Sequence, residues 1–296
     1  MIRSSSSTSS TRARSIRVAA VFGVAAIALV GCSSTSASPS AVAADCSPEH
    51  DDLTTFTEGT LTVGVPENPP YTKTEGSSAS GLEIGVIEKL AAAECLDVAY
   101  VPITYANGIP MISEQKRTDI ATGGWYVTEA RAEQVGFTTP TFFDTMGIVS
   151  KDGATTIEEL TEIGTVGTGT GFSWQDDMTK LLGDKLTLYP GTVEMKQDLE
   201  SGRIQAMLDG YAVAVEAFKG TDWKVEPAAE DSRIAITTDM PKIAFPVSKD
   251  NQKLSDAFSE LIDGYREDGT LADLLAEYDL PADLLVPADQ AAASIR

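Results

Sequence analysis

Asp119-Ile-Ala-Thr-Gly-Gly-Trp-Tyr-Val-Thr-Glu-Ala-Arg131, continued by Ala-Glu-Gln-Val-Gly-Phe-Thr-Thr-Pro140-Thr-Phe-Phe-Asp144, is the stretch on which the reading of this chain turns. Locally it reads as the end of a strand, a Gly-Gly turn and a short helix. Thr128 stands where a hydroxyl would cap that helix, with Glu129 in its first turn. The open N–H groups of a helix start, with the fixed charge of Arg131 beside them, would suit an anion and a carboxylate in particular. Gly123 and Gly124 would let backbone come close to a bound molecule, and Trp125 and Tyr126 would supply aromatic surface. The same residues would serve equally as an ordinary surface turn with an exposed arginine.

Outward from this stretch, strands and helices alternate. On the N-terminal side a strand is expected at 59–65, a proline-broken loop at 66–71, a loop or short hairpin at 72–81, a helix at 82–94, a strand at 96–103, a turn at 105–108 leading into a helix near Pro110, and a strand at 118–123. On the C-terminal side the expected strands are 145–151, 163–171, 185–189, 204–208, 233–237 and 243–247, and the expected helices 157–160, 172–182, 193–201, 212–218, 251–267 and 271–278. Strand–helix alternation of this kind implies an α/β fold with parallel sheets covered by helices. The run Gly167-x-Gly169-x-Gly171 has neither phosphate-loop nor dinucleotide-binding spacing. It reads better as a turn into a helix start, with the Ser173 hydroxyl as an added donor. Asp209 follows a strand at the end where α/β folds hold ligands, and it would serve equally as a cap for the next helix.

The first residues read as a targeting segment. Residues 1–17 are rich in Ser and Thr and carry four arginines without an acid, and 18–31 are apolar. Fourteen residues suit the hydrophobic core of a signal peptide and are short for a membrane span. Residues 33–55 read as a flexible tether and a polar arm. Loss of residues 1–31 would take the net charge from −22 to −26, because only arginines leave. So acidic a body argues against nucleic acid and against electrostatic docking on anionic lipid. Cys46 and Cys95, in an oxidising exported setting, could form a disulfide or remain two buried thiols. A single histidine, His50, with no paired-cysteine motif, makes a metal site unexpected.

Two resemblances follow from motifs. Leu29-Val-Gly-Cys32 resembles the bacterial lipobox, which implies that Cys32 is diacylated and becomes the mature N-terminus. The order Leu61-Thr-Val-Gly-Val, Pro69-Pro-Tyr71, Ile109-Pro110, Thr128-x-x-Arg131, Phe137-Thr-x-Pro140, Ser201-Gly-Arg203 and Gly269-Thr-Leu resembles the extracellular solute-binding proteins of family 3. These are the polar amino-acid receptors of ABC importers. The resemblance spans about 56–282 and implies a periplasmic-binding-protein type II fold: two α/β lobes joined by two crossover strands, with ligand between them. It divides the chain into a signal peptide (1–31), tether and arm (32–55), lobe 1 (56–146 with 241–290) and lobe 2 (147–240).

The same resemblance implies roles for residues. Tyr71 would stack on the ligand, with Tyr105 as a second aromatic. Arg131 would grip an α-carboxylate, Ser173 would add a hydroxyl, and Asp209 would take an α-ammonium. Gly124, Trp125, Tyr126 and Gly171 would complete the wall. Two departures stand out: Gly124-Trp-Tyr-Val-Thr128 replaces the usual Gly-Met-Thr-Ile-Thr, and Gln205 replaces the usual acid after Gly202-Arg-Ile. The expected protein is therefore a monomeric, lipid-anchored receptor outside the bacterial cell membrane. It would capture a small polar solute and deliver it to an ABC permease, without cofactor, metal or catalysis. The alternatives are an enzyme on the same fold, such as a cyclohexadienyl dehydratase, for which only Asp209 and Glu129 offer a general acid, and a sensory ligand-binding module.

Overall fold

The structure, a computed structural model, describes Val42 and residues 45–291. The expected signal peptide, the lipobox with Cys32 and most of the tether lie outside the described residues. The first strand, β1 (Thr60–Val65), is buried along nearly its whole length, as a strand covered on both faces must be. The hairpin strands β2 (Lys73–Glu75) and β3 (Ser78–Ser80) follow, then helix α1 (Leu82–Ala93). Leu82, Val86 and Leu90 repeat every four residues on its buried face. Strand β4 (Asp97–Pro102) lies parallel to β1.

Helix α2 (Tyr105–Ser113) begins four residues before the expected Ile109-Pro110 start. A capping box explains this: the Thr104 hydroxyl and the Asn107 side chain satisfy each other's backbone N–H groups. Pro110 is carried inside the helix rather than opening it. Next come the two-residue β5 (Ile120–Ala121), the single-turn α3 (Glu129–Ala132), β6 (Gly136–Phe137) and β7 (Phe142–Phe143).

The second half runs β8 (Met146–Ser150), α4 (Ile157–Ile163), β9 (Val166–Gly169), α5 (Gln175–Leu182), β10 (Leu186–Tyr189), α6 (Thr192–Glu200), β11 (Ala206–Gly210), α7 (Tyr211–Phe218) and β12 (Lys224–Pro227). Strand β11 lies two residues later than expected. Arg203 and Ile204 are spent closing α6, their N–H groups turned to the Asp198 carbonyl, so Asp209 falls inside the strand. Residues 233–237, expected as a strand, instead end in a 3-10 turn at Ala235–Thr237, which the Thr237 hydroxyl holds to the carbonyls of Asp231 and Ile234. The expected strand 243–247 is two: β13 (Lys242–Ile243) and β14 (Pro246–Val247), which join different sheets. Helices α8 (Gln252–Glu267) and α9 (Thr270–Glu277) close the fold. The Asn251 side chain caps α8, and Leu254, Phe258 and Ile262 bury its inner face, each worth about 1.5–3 kcal/mol of transfer free energy.

Two five-stranded sheets result, ordered β4-β1-β5-β14-β6 and β10-β9-β11-β8-β12. The chain passes between them twice, through β7 into β8 and through β13 into β14. These two passages pair antiparallel, Lys242 opposite Phe143 and Ile243 opposite Phe142. This is the two-crossover α/β architecture expected. Helices α8 and α9 return to pack on α1, beside the first sheet.

The N-terminal arm is fastened to the end of α1. Cys46 and Cys95 are joined as a disulfide with their Cα atoms 5.8 Å apart. The Glu49 N–H donates to the Ala93 carbonyl. The buried Glu94 carboxylate accepts from the His50 backbone N–H at 3.1 Å and lies 2.6 Å from its Nδ1, while Nε2 lies 3.4 Å from Glu260. Among the described residues no group of three or more His, Cys, Asp or Glu is arranged to hold a metal ion.

Candidate ligand-binding cleft

A small cavity of about 30 Å³ lies between the two sheets, room for little more than a water molecule as the halves stand. From the first-sheet side it is walled by Asn68, Tyr71, Tyr105, Gly124, Tyr126 and Arg131. Phe172, Ser173, Trp174, Asp209, Gly210 and Val213 face them from the second, and Asp144 sits where β7 crosses into β8.

Arg131 is half-buried. Its Nη1 donates to the Tyr126 carbonyl at 2.9 Å and its Nη2 to the Gly171 carbonyl at 3.1 Å. The guanidinium also lies 4.7 Å from the centre of the Trp125 ring, close enough for a cation–π attraction. Burial pulls its pKa down to about 10, so it stays charged at neutral pH. None of the ion pairs among the described residues involves it. Two of its five N–H donors are used, which leaves a pair for a carboxylate.

The acids have the opposite problem. Asp209 accepts from the Thr192 hydroxyl at 2.6 Å and the Gly210 N–H at 2.8 Å. Asp144 accepts from the Ala212 N–H at 3.3 Å. Both are at least 96% buried, Asp144 4% and Asp209 1% exposed. Neither joins an ion pair among the described residues. Burial raises Asp209 to about 7 and Asp144 to about 6 because a carboxylate loses hydration without gaining a counter-charge.

The aromatic wall forms a chain across the cleft. The Tyr105 ring packs 4.9 Å from Trp125 and edge-on at 5.1 Å to Phe172. Phe172 packs 5.3 Å from Trp174, which lies 6.0 Å from Tyr126. The Trp174 Nε1 donates to the Thr168 hydroxyl at 2.8 Å. Two hydroxyls are under-used: Ser173, which has no partner, and Tyr71, in a residue only 1% exposed, which has only the Asp144 carboxylate to face. Buried hydroxyls are normally partnered, so these two mark where a polar ligand would complete the site.

The structure redistributes several expected contributions. Trp125 lies behind the wall. It packs among Ile103, Ile109, Ile112 and Val135 and donates its Nε1 to the Thr122 carbonyl, supporting Arg131 and Tyr105 from the rear. Gly171 also lies behind it: its carbonyl holds Arg131 and its N–H donates to the Gln175 side chain. A Cβ there would sit 2.8 Å from the carbonyl carbon of Tyr105, so glycine lets the two halves meet. Thr128, Glu129 and Ala130, at the start of α3, do not border the cavity. Helix α3 is a single turn, and the Arg131 N–H is turned to the Thr128 hydroxyl. The Gly123 and Gly124 N–H groups are taken as well, both by buried Glu83 of α1 at 2.5 and 3.1 Å. The anion-binding capacity therefore rests on the Arg131 side chain.

Asn68, Glu83, Asp144, Phe172, Trp174, Gly210 and Val213 were not read from the sequence. Asp144 did carry a signal, as the only acid between Glu133 and Asp152. Glu83 carried none, since an acid in a helix's first turn is ordinary.

A profile of the bacterial extracellular solute-binding proteins, family 3, matches residues 61–280. Comparison with curated proteins gives no match. A substrate-binding protein of an ABC uptake transporter from Streptococcus pneumoniae, solved with bound histidine, superposes with a TM-score of 0.67 at 19% identity, covering 77% of this chain and 95% of that one. A cysteine-binding protein from Campylobacter jejuni gives 0.67 at 20% identity, covering 78% and 96%. An ancestral amino acid-binding protein, described as a precursor of cyclohexadienyl dehydratase, gives 0.64 at 22%, covering 74% and 95%. At such identities the likeness speaks for the fold.

Proposed function

The chain belongs to the bacterial extracellular solute-binding proteins, family 3, and from that premise we propose that its cleft captures an amino acid or close relative for an ABC permease. One observation carries the reading: the cavity holds a half-buried guanidinium without an acid and buried carboxylates without a base. Unpaired buried charge is costly, and a solute bearing both a carboxylate and an ammonium would relieve both ends at once. Arg131 and Ser173 take the carboxylate, Asp209 takes the ammonium, and Tyr71, Tyr105, Tyr126 and Trp174 exclude water. Closure moves lobe 2 (147–240) against lobe 1 (56–146 with 241–290) about the paired crossovers. The protein works as a monomer held to the outer face of the cell membrane through Cys32. The family and the solved relatives named above are binding proteins, in keeping with a receptor rather than a catalyst.

A thermal-shift screen over amino acids, amines and small acids tests this. A true ligand at 100 times its Kd stabilises by about 2.7 kcal/mol. A screen in which only solutes lacking a carboxylate or lacking an ammonium raise the melting temperature would sink the reading. The enzyme alternative draws on the raised pKa values of Asp144 and Asp209, which suit a general acid. Turnover of prephenate or arogenate by the purified protein would favour it.

A further inference from the structure

A zwitterion needs one cation and one anion from its receptor, and this cleft offers one cation and two anions. Arg131 is the cation, and Asp209 answers the ammonium. Asp144 is left over, and its surroundings make it more than a structural acid. It lies at the cavity wall, 4% exposed, accepting from the Ala212 N–H through Oδ1, with the Thr145 N–H and the Tyr71 and Tyr126 hydroxyls beside it and no cation. Its other oxygen faces Gly210: a Cβ built there would be 2.8 Å from Oδ2 and 3.6 Å from the Tyr126 hydroxyl. The glycine thus keeps clear a space beside the acid and the Tyr126 phenol, whose hydroxyl donates to the Thr145 carbonyl at 3.1 Å. Tyr71 is 1% exposed, and its hydroxyl borders the same cavity with only the Asp144 carboxylate to face. The faces of Tyr126 and Trp174, 6.0 Å apart, close the group. A carboxylate, phenol oxygens and aromatic faces around one space form a receptor for a cation.

We infer that Asp144 receives a second positive charge, so that the cleft selects an amino acid whose side chain is cationic, an amine or a guanidinium. This rests on the amino-acid reading above and extends it to a substrate class and to a specificity-determining residue.

Isosteric pairs test it: L-arginine against L-citrulline and L-lysine against L-2-aminoheptanoic acid, by calorimetry at pH 8, where the acids are ionised. At least one cationic member should bind 30-fold or more tighter than its neutral isostere, the range seen when a buried charge pair is made or lost. Asp144→Asn should erase most of that preference, the cationic member falling toward the affinity of its neutral isostere. Equal affinity within both pairs, or a preference untouched by Asp144→Asn, overturns the inference. In those outcomes the amino-acid reading survives, because the isosteres still bind. If none of the four binds, the inference falls whatever the screen finds, and the amino-acid reading falls with it only if the screen yields no α-amino acid. The wild-type comparison needs no variant, so a poorly folded Asp144→Asn leaves it decisive. A folded Asp144→Glu would then supply the second variant, expected to keep the preference for the cation.

Discussion

At the residue scale the cleft depends on parity. Past the Gly-Gly turn, Gly124 and Tyr126 border the cavity while Trp125 between them enters the core, since neighbours along extended backbone point to opposite faces. That Arg131, Tyr71 and Asp209 belong to the cleft was legible, because charge and aromaticity at motif positions are visible in sequence. Which of two adjacent aromatics faces inward was not, because a one-residue change of phase exchanges them. Arg131→Ala should weaken ligand binding by about 30-fold to several-thousand-fold, the cost of leaving a buried carboxylate unpaired. Arg131→Lys should restore only part, lacking the two-pronged fork. Calorimetry on a ligand from the screen reads both, and unchanged affinity in a well-folded Arg131→Ala protein removes the residue from the site.

The two cleft acids, with Glu83 buried behind them, also set a pH dependence whose sign is unusual for carboxylates. Asp144, Asp209 and Glu83 have folded-state pKa values of about 6, 7 and 7, above their ordinary ones. The folded chain therefore holds more protons than the unfolded chain between about pH 4 and 7, and stability falls as pH rises through that window. The groups that face these acids are the phenols of Tyr71, Tyr105 and Tyr126, the Thr192 hydroxyl, backbone N–H groups and one another. His50, raised above 6.5 chiefly by its bond to Glu94, adds stability that is complete below its unfolded pKa and fades as pH rises past its folded one. Both effects have the same sign. The ligand-free protein should melt higher at pH 5 than at pH 7.5, and His50→Gln should remove only the part contributed by the arm. A melting temperature that rises over that interval in both proteins would contradict the carboxylate account.

At the element scale, long periodic segments were readable and short pairings were not. Helices α1, α6, α7 and α8 fall within a residue or two of expectation because a buried stripe writes itself into the sequence. Strands β5, β13 and β14 have two residues each, too few for any period, and exist through their neighbours. The break between β13 and β14 is where the chain changes sheets, a tertiary event with no local spelling. The arm on α1 is an element in its own right, and its disulfide spans 49 residues. Chain-entropy arithmetic credits a loop of that length with about 4 kcal/mol. Reduction should therefore lower the melting temperature by several degrees. Intact-mass measurement after denaturing alkylation should show no labelled thiol until a reductant is added; labelling of both cysteines without reductant would mean that the bond does not form.

At the scale of the whole molecule, two sheets and two paired crossovers make a clamp, and order and spacing of motifs along 220 residues were enough to see it coming. The volume and charge count of the cleft were not legible, because they depend on residues from both halves meeting. The anchor belongs to this scale too. With lipobox spelling before it, Cys32→Ala should move the protein from the membrane fraction to the soluble one. A single acyl chain holds only marginally, so retention after a high-salt wash would refute diacylation as the means of attachment.

The fastening of the arm to α1 has a mechanical consequence. Fourteen residue steps lead from Cys32 to Cys46, and no backbone conformation can extend them beyond about 50 Å. If Cys32 carries the proposed lipid anchor, the protein would be leashed, and its search for a permease would become a two-dimensional one at high local concentration. The load on the leash would enter at a covalent bond beside the first sheet and bypass the crossovers. The second half would then be free to swing about them without working against its own mooring.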